Sequence, residues 1–384
     1  MRFDFATATR VVFGPGSVRE AVSAAAALGR SALIITGRTP SRSDVFAGKL
    51  REQNVECTLF SILGEPTVSR VLDGVRIARD AGCEIVIGYG GGSALDGAKA
   101  VAALMSNPGD PLDYLEVVGK GKPLTRPCAP CICVPTTAGT GSEVTRNAVL
   151  ASLEHGVKVS LRSPRMLPLL AAVDPELTHS VPPSITASTG MDALCQLIEP
   201  FVSTAANPLT DAICREGIRR SALWLRPACE DGSNAQAREN MALVSLFGGM
   251  ALANAGLGAV HGLAAPAGGM HPIPHGIVCA RLLPVVMEAN PRALKARAKD
   301  SPALSKYDEI ARLLTGSDSA RAKEGAEWLH AMCSDFSVPR LSSFGLTEKD
   351  LPAIADKAQK SSSMKSNPIQ LTAGELTDIL REAL

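Results

Sequence analysis

The stretch Glu84–Lys99, EIVIGYGGGSALDGAK, decides the fold of this chain. Its first part, EIVIG, is rich in β-branched residues and predicts a buried strand, and a helix is predicted to start near Ala94. The glycines between them let backbone amides approach a pyrophosphate at the N-terminus of the helix. Their spacing differs from the dinucleotide fingerprint of an ordinary Rossmann first turn, so a plain tight turn is the alternative for this motif alone.

The alternation of short apolar runs and amphipathic stretches continues to about Asp174, which predicts a parallel α/β sheet. A second turn, PTTAGTGSEVT at Pro135–Thr145, follows another apolar run, and glycine-rich turns at strand ends are where such sheets bind ligands. The predicted elements are strands at 31–37, 57–63, 84–88 and 131–135 and a helix at 68–81.

After Pro182 and Pro183 the strand signals fade and helical periodicity takes over. A chain of 384 residues exceeds the usual size of a single core. We therefore predict two domains. Residues 1–180 form a Rossmann-like α/β nucleotide-binding domain, and residues 181–384 form an all-helical domain for metal and substrate.

The amino-acid composition indicates which kinds of partner the protein binds. Lysine and arginine number 39 against 38 acidic residues, so there is no electrostatic reason to expect a nucleic acid or an anionic membrane, and small molecules are the expected ligands. The ten cysteines lack the spacing of a disulfide framework, and the N-terminus lacks a signal-peptide pattern. We expect a cytoplasmic protein. The uncharged run 241–280 is long enough for a membrane span, but its histidines, prolines and glycines favour packed core helices.

The segment ITGRTPSRS, which begins at Ile35, bears on the choice of nicotinamide cofactor. A carboxylate at the end of this strand would bind the ribose hydroxyl of NAD and repel a 2′-phosphate. Gly37 removes that repulsion, and Arg38 and Arg42 are candidate partners for the phosphate. This favours NADP over NAD. The alternative is that both arginines are solvated loop residues.

A metal site is predicted in the helical half. Three of the six histidines, His261, His271 and His275, fall within AVHGLAAPAGGMHPIPHG. Asp192 adds an oxygen ligand, and Gln196, one helical turn later, projects from the same face. Carboxylate and imidazole ligands with an open position make a catalytic divalent metal site. The alternative for each histidine alone is a hydrogen-bonded core residue.

A second set of candidate ligands carries less weight. Cys128, Cys131 and Cys133 have part of a zinc-knuckle spacing. Since no second pair completes four ligands, we assign these thiols to strand packing.

These motifs resemble those of the iron-containing (group III) alcohol dehydrogenase family. The similarity runs through GGGSALDGAK, NPGDPLDY, PTTAGTGSEVT, RSPRMLPLLAAVDPELT, MDAL, NAGLGAVHGLA, IPHG and a late SNP, and it covers nearly the whole length. The resemblance implies a dehydroquinate synthase-like architecture, an active-site cleft between two domains and usually a dimer. It also implies a catalytic iron or zinc ion.

Residue by residue, the resemblance assigns metal ligands and cofactor contacts. The implied ligands are Asp192, Gln196, His261 and His275. The implied dinucleotide contacts are Gly91, Gly92, Ser93, Asp96, Thr136, Thr137, Thr140, Ser142 and Lys158, to which we add Thr36, Gly37, Arg38 and Leu177 as candidates.

The chain departs from the family pattern at two positions. Gln196 stands where the family has a histidine, and an amide oxygen is a poorer donor to iron or zinc than imidazole. Ala265 stands where a further histidine near the nicotinamide is usual. His271 is a candidate substitute for that histidine as a catalytic proton carrier, and a structural role is the alternative.

The function expected from these residues is metal-assisted hydride transfer between NAD(P) and a small alcohol or aldehyde, with Asp192, His261 and His275 at the catalytic centre. Aromatic residues are few, which favours a short aliphatic or polar substrate. Three alternatives stay open: a metal-independent reductase similar to the maleylacetate reductases, a lyase similar to the dehydroquinate synthases, and a catalytically silent nucleotide-binding protein.

Overall fold

The structure is a computed structural model that describes residues 2–384. Contacts within the chain divide them into two compact units. The α/β unit is Thr7–His179, and the helical unit combines Ser180–Leu384 with residues 2–6. The fold class predicted from the sequence, a parallel α/β sheet followed by helices, is confirmed.

The α/β unit is built around parallel strands. Its strands are β1 (Arg10–Phe13), β2 (Ser31–Thr36), β3 (Glu56–Ser61), β4 (Ile85–Gly90), β5 (Cys131–Pro135), β6 (Asn147–Ser152), β7 (Val157–Arg162) and β8 (Leu170–Val173). Six of them pair in parallel in the order β1-β8-β5-β4-β2-β3. The remaining two, β6 and β7, form a separate antiparallel hairpin. The carboxyl ends of β8, β5, β4 and β2 therefore lie side by side at one edge of the sheet.

Helices cover both faces of this sheet. They are α1 (Val18–Leu28), α2 (Asp44–Glu52), α3 (Val68–Asp80) and α4 (Gly92–Ser106). Successive residues of a strand point to opposite faces, so Ala32 and Ile34 pack with α1 and α2, whereas Leu33 and Ile35 pack with α3 and α4. Each large side chain buried in this way contributes about 1.5–3 kcal/mol to stability.

Two features of the α/β unit differ from the sequence prediction. Strand β4 runs two residues beyond the predicted Gly88, and α4 starts at Gly92 rather than near Ala94. The glycines permit this because they continue a strand or start a helix without steric cost. The β6–β7 hairpin was not predicted from the sequence. Alternate residues of β6 are buried, as expected for a strand with one face against the core.

The helical unit packs nine described helices. They are α5 (Pro183–Val202), α6 (Pro208–Glu230), α7 (Ala235–Ala255), α8 (Ala259–Met270), α9 (His275–Arg297), α10 (Ala303–Thr315), α11 (Ala322–Asp335), α12 (Leu351–Gln359) and α13 (Ala373–Ala383). Proline at the first position of α5 and α6 suits a helix start, where its missing N–H is not needed. Among the described residues no single helix meets the length and hydropathy of a membrane span; α7 and α8 do so only as a pair, with a 100° bend between them.

The start of α8 is held by a buried asparagine from the late SNP motif. The side-chain oxygen of Asn367 accepts hydrogen bonds from the backbone nitrogen of Ala259 and from Asn290, each at 3.0 Å. Its side-chain nitrogen donates to Asn290 at 2.9 Å and to the backbone oxygen of Ile369 at 2.7 Å. One amide therefore links the first residue of α8 to the middle of α9.

We expect Asn367→Ala to lower the free energy of unfolding by about 2–4 kcal/mol, because several buried partners lose a hydrogen bond at once. Urea unfolding followed by circular dichroism measures the change. Gln370→Ala is the control: this nearby side chain is exposed, and its loss should change stability by less than about 0.5 kcal/mol. Equal effects of the two substitutions would contradict the role given to Asn367.

Candidate functional site

The candidate cofactor residues lie at one edge of the parallel sheet. Thr36, Gly37 and Arg38 follow or end β2, and the glycine turn follows β4. The threonine turn follows β5, and Leu177 follows β8. Because these four strands are neighbours, the structure brings the four segments to the same carboxyl edge. This is where open parallel sheets bind their ligands.

The glycine turn and the threonine turn are in close contact. Gly91 is the N-cap of α4 and Gly92 its first residue. A Cβ on Gly91 would lie 3.1 Å from the hydroxyl of Thr137, and one on Gly92 would lie 2.7 Å from the methyl group of Thr140. A side chain at Gly92 would therefore displace the threonine turn, and one at Gly91 would press against it. The amides at the start of α4 carry no side-chain cap, so they are available to an anion.

Asp96 joins α4 to the turn and to the hairpin. Its carboxylate accepts hydrogen bonds from the hydroxyl of Ser142 and, at 2.9 Å, from the backbone nitrogen of Val149. It also lies 3.2 Å from the ammonium group of Lys99. Two residues assigned as cofactor contacts, Asp96 and Ser142, thus bond to each other in this structure and position the threonine turn.

Lys99 was not identified from the sequence, although it closes the glycine motif. Its side chain is fully buried, and its ammonium group donates to the backbone oxygen of Ser142 at 2.9 Å and to the hydroxyl of Thr145 at 2.8 Å. It also donates to the backbone oxygen of Asn147. A buried charge needs such partners, and through these bonds Lys99 holds the threonine turn in place.

Glu143 in the same turn was also missed. It lies in the short 3₁₀ helix Ser142–Val144 and is buried. Burial raises the pKa of its carboxyl to about 7, although its own backbone amide and the charge of Lys99 act in the opposite direction. The turn therefore holds a carboxyl that is close to half-protonated at neutral pH.

The residues that bear on the choice of cofactor lie just beyond β2. A Cβ on Gly37 would meet nothing within 4 Å, so a larger side chain has room there. Arg38 is exposed. Arg42 is also exposed but donates to the backbone oxygen of Leu177 at 2.8 Å, which ties the loop after β2 to the segment after β8. Arg38 is thus the more available of the two guanidinium groups.

Three further predicted cofactor residues have partners of their own. The hydroxyl of Thr36 shares a hydrogen bond with Ser61 at 3.0 Å. Lys158 lies on the hairpin, and its ammonium group is 2.9 Å from a carboxylate oxygen of Glu65. Thr136 is buried and donates its backbone N–H to Gly90 at 2.9 Å.

In the helical unit, four side chains converge to form what we call the donor cluster. Asp192 is on α5, His261 on α8, and His275 and Cys279 are one turn apart on α9. One donor atom from each lies within 4.8 Å of the others. The Oδ1 atom of Asp192 is 3.3 Å from Nε2 of His261 and 3.6 Å from Nε2 of His275. The structure thus brings together three of the four predicted ligands and adds a thiol that was not predicted.

Gln196 lies beside the donor cluster, but its amide nitrogen faces it. The Nε2 atom donates to Oδ2 of Asp192 at 3.0 Å. The Oε1 atom is buried and has no hydrogen-bond partner among the described residues. Gln196 therefore orients the carboxylate in this structure, and its assignment as a metal ligand stays a prediction.

His271, the candidate proton carrier, lies elsewhere. It follows the last residue of α8, and its Nε2 atom is 3.4 Å from a carboxylate oxygen of Asp350. The structure does not bring it into the donor cluster with His261 and His275. Its pairing with Asp350 supports the structural alternative.

The ring of His261 is oriented by a second carboxylate. Its Nδ1 atom lies 2.6 Å from Glu199, whose other oxygen accepts from the backbone nitrogen of Val260 at 2.7 Å. With Nδ1 donating to Glu199, Nε2 is free to bind a cation on the side of Asp192. Glu199 lies two turns after Asp192 on α5, a spacing that is visible in the sequence.

The electrostatics of the donor cluster favour a positive charge. Burial disfavours the ionised carboxylate of Asp192, yet the charges of His275 and His261 lower its pKa to about 2. Burial also works against the charged form of His275, but Cys279 and Asp192 raise its pKa to about 9. The pKa of the Cys279 thiol lies well below its ordinary value, because a hydrogen bond with Cys195 and the two imidazoles outweigh burial. A carboxylate and a thiol of lowered pKa thus face two imidazoles.

These residues fit a divalent metal ion. The Oδ1 atom of Asp192 is buried and has no hydrogen-bond partner among the described residues, which is costly unless a cation lies beside it. Carboxylate, imidazole and thiolate are all ligands of zinc and other transition metals. The side chain of His275 is one-third exposed, so the cluster is open to small molecules on that side.

The comparisons with known proteins agree with this geometry. The profile of iron-containing alcohol dehydrogenase matches residues 8–175, and that of the C-terminal domain of the Fe-containing alcohol dehydrogenase family matches residues 186–384. The chain is 36% identical to 1,3-propanediol dehydrogenase of Klebsiella pneumoniae, covering 99% of this chain and 98% of that protein.

Solved structures show the same similarity. The crystal structure of a 1,3-propanediol oxidoreductase superposes with a TM-score of 0.92 at 35% identity and covers 100% of both chains. Sulfoacetaldehyde reductase from Bifidobacterium kashiwanohense, solved in complex with NAD+, superposes with a TM-score of 0.87 at 30% identity, covering 100% of this chain and 99% of that one.

Glu143 makes a testable contribution to the pH dependence of stability. Its pKa in the folded protein is above the ordinary 4.5, so the fold is favoured while the carboxyl is protonated, and this contribution is lost as the pH rises from 4.5 through about 7. The full loss corresponds to about 3 kcal/mol at most. Relative to Glu143→Gln, the unchanged protein should lose stability between about pH 4 and pH 8, measured by urea unfolding. Parallel pH profiles would contradict the raised pKa.

Proposed function

The chain belongs to the iron-containing alcohol dehydrogenase family, and on that premise we propose that it interconverts a small aliphatic alcohol and its aldehyde, using NADP and a divalent metal ion in the donor cluster. It is an NAD(P)-dependent oxidoreductase. The observation that carries the proposal is the buried Oδ1 atom of Asp192, which lies between two imidazole nitrogens and has no hydrogen-bond partner among the described residues.

The side chains of the donor cluster have separate tasks. Asp192, His261 and His275 would hold the ion, which supplies Lewis-acid chemistry when bound: it polarises a carbonyl in reduction and lowers the pKa of an alcohol in oxidation. Glu199 holds the ring of His261 with Nε2 facing Asp192. Gln196 holds the second oxygen of Asp192 and keeps the first one directed at the imidazoles.

The α/β unit would bind the nucleotide at the carboxyl edge of its sheet. The amides at the start of α4 would receive the pyrophosphate, and the threonine turn packs closely against Gly91 and Gly92, so that side chains there would press against it. The proposed reaction requires the nicotinamide to stand against the substrate carbon beside the donor cluster, with water excluded.

The preference for NADP rests on the end of β2. Gly37 has no carboxylate that would repel a 2′-phosphate, and the exposed guanidinium group of Arg38 is free to approach one. The NAD+ named for the sulfoacetaldehyde reductase structure belongs to that protein. The small number of aromatic residues and the 1,3-propanediol named for two similar proteins support a short aliphatic substrate.

Location and assembly belong to the same proposal. All ten cysteines are free thiols, which supports a reducing cytoplasm. The family resemblance supports a homodimer. Light scattering of the purified protein measures its mass, and a monomer at all concentrations would contradict the dimer.

We expect Asp192→Ala to lose bound metal and to lower kcat/KM for aldehyde reduction by about 100-fold or more, because the ion contributes several kcal/mol to stabilisation of the transition state. Metal analysis of the purified protein and NADPH oxidation with a panel of short aldehydes measure both effects. Asp356→Ala is the control, since it removes an exposed carboxylate that, among residues 2–384, is paired only with Lys360. Full activity in Asp192→Ala would reject the metal mechanism.

We expect Gly37→Asp to lower kcat/KM for NADPH by about 10- to 100-fold while leaving that for NADH nearly unchanged, because the new carboxylate repels the 2′-phosphate. Steady-state kinetics with the two cofactors measure the ratio. Gly37→Ala adds a side chain without charge into open space and should keep the original preference. An unchanged ratio in Gly37→Asp would contradict the assignment of this segment.

A further inference from the structure

The donor cluster contains one ligand-type atom that the family pattern does not assign. Cys279 follows His275 by one turn of α9 and is fully buried. Its Sγ atom lies 3.5 Å from Nε2 of His275 and 3.8 Å from Nε2 of His261. These are the same two nitrogens that face the carboxylate of Asp192.

Four of the six separations between the donor atoms match the edges of a tetrahedral site, and the other two are within 4.8 Å. Zinc binds nitrogen and oxygen at about 2.0–2.1 Å and sulfur at about 2.3 Å, so neighbouring donors lie about 3.3 Å apart when both are N or O and about 3.6 Å apart when one is S. The distances from Asp192 to the imidazoles are 3.3 and 3.6 Å, and those from Cys279 are 3.5 and 3.8 Å. A single ion between the four atoms needs only small adjustments.

Gln196 leaves the fourth position to another residue. Its amide nitrogen, which cannot bind a cation, is the atom directed at Asp192. With the amide turned over, its oxygen would face the carboxylate oxygen of Asp192, and two acceptors would repel each other. The hydrogen bond therefore holds Gln196 in the role of an orienting residue.

A neighbouring thiol does not compete for the position. Cys195 lies 3.7 Å from Nδ1 of His261, the ring nitrogen that Glu199 binds. Cys195 therefore stands on the Nδ1 side of the ring and hydrogen-bonds to Cys279, which stands on the Nε2 side with Asp192 and His275.

We propose that Cys279 is the fourth ligand of the metal ion, together with Asp192, His261 and His275, and that it replaces the imidazole missing at Gln196. This inference rests on the proposed function of the donor cluster. A thiolate makes the ligand set softer than one of carboxylate and imidazole alone. The softer set favours zinc or cobalt. Substrate would then bind as an additional ligand on the exposed side of His275.

The test uses the full-length protein loaded with Co²⁺, because a cobalt–thiolate bond gives a charge-transfer absorption band in the near ultraviolet. The unchanged protein should show this band, and Cys279→Ser should lose it and bind cobalt about 100-fold more weakly. Cys195→Ser is the matched control: it removes the other thiol near His261 and should keep the band. Circular dichroism and thermal unfolding check that each variant is folded.

A second variant keeps the test decisive if Cys279→Ser retains no metal. Gln196→His combined with Cys279→Ser restores an imidazole to the site and should recover cobalt binding without the charge-transfer band. No band in the unchanged cobalt protein, a band that persists in Cys279→Ser, or one that disappears in Cys195→Ser instead would overturn the proposal.

Activity separates this inference from the proposed function. NADPH oxidation by an aldehyde in a cobalt protein without the band would leave the oxidoreductase in place and reject Cys279 as a ligand. A band that depends on Cys279, in a protein that reduces none of the aldehydes, would establish the ligand and reject the proposed reaction.

Discussion

A carboxylate oxygen buried between two imidazoles is the interaction on which the helical unit depends. Asp192 comes from α5, His261 from α8 and His275 from α9, so the cluster unites α5 with the later consecutive pair α8 and α9. Oδ1 of Asp192 has no hydrogen-bond partner among the described residues, and its burial is costly unless a cation lies beside it. Two neighbouring residues position these groups. Glu199 fixes the imidazole of His261, and Gln196 fixes Oδ2 of Asp192.

The α/β unit manages its buried charges differently. Lys99 and Asp96 are paired and hydrogen-bonded to the threonine turn and the hairpin, so their polarity is satisfied within the protein. Their bonds hold the two turns in place. The backbone amides at the start of α4 are left available at the carboxyl edge of the sheet. An anion is the natural partner of that edge, as a cation is of the donor cluster.

Much of the α/β unit could be predicted from the sequence, because its strands are continuous apolar runs bounded by glycine turns. Strand β5 has the predicted bounds, Cys131–Pro135. The hairpin at β6 and β7 was missed because the prediction relied on continuous apolar runs, although β7 (VKVSLR) alternates apolar and polar residues as a half-buried strand does. In the helical unit, periodicity shows that Asp192 and Gln196 share a face, but it does not show which atom of the amide points inward. The position of Cys279, one turn after His275, is visible in the sequence, but the family pattern assigns no ligand there.

Anomalous diffraction at the zinc absorption edge, from crystals of the zinc-loaded protein, tests the central claim most directly. The account predicts a strong peak at about 2.0–2.2 Å from Oδ1 of Asp192 and from the Nε2 atoms of His261 and His275. A peak on the Nδ1 side of the His261 ring, beside Glu199 and Cys195, would contradict it. The absence of a peak at the donor cluster would also contradict it.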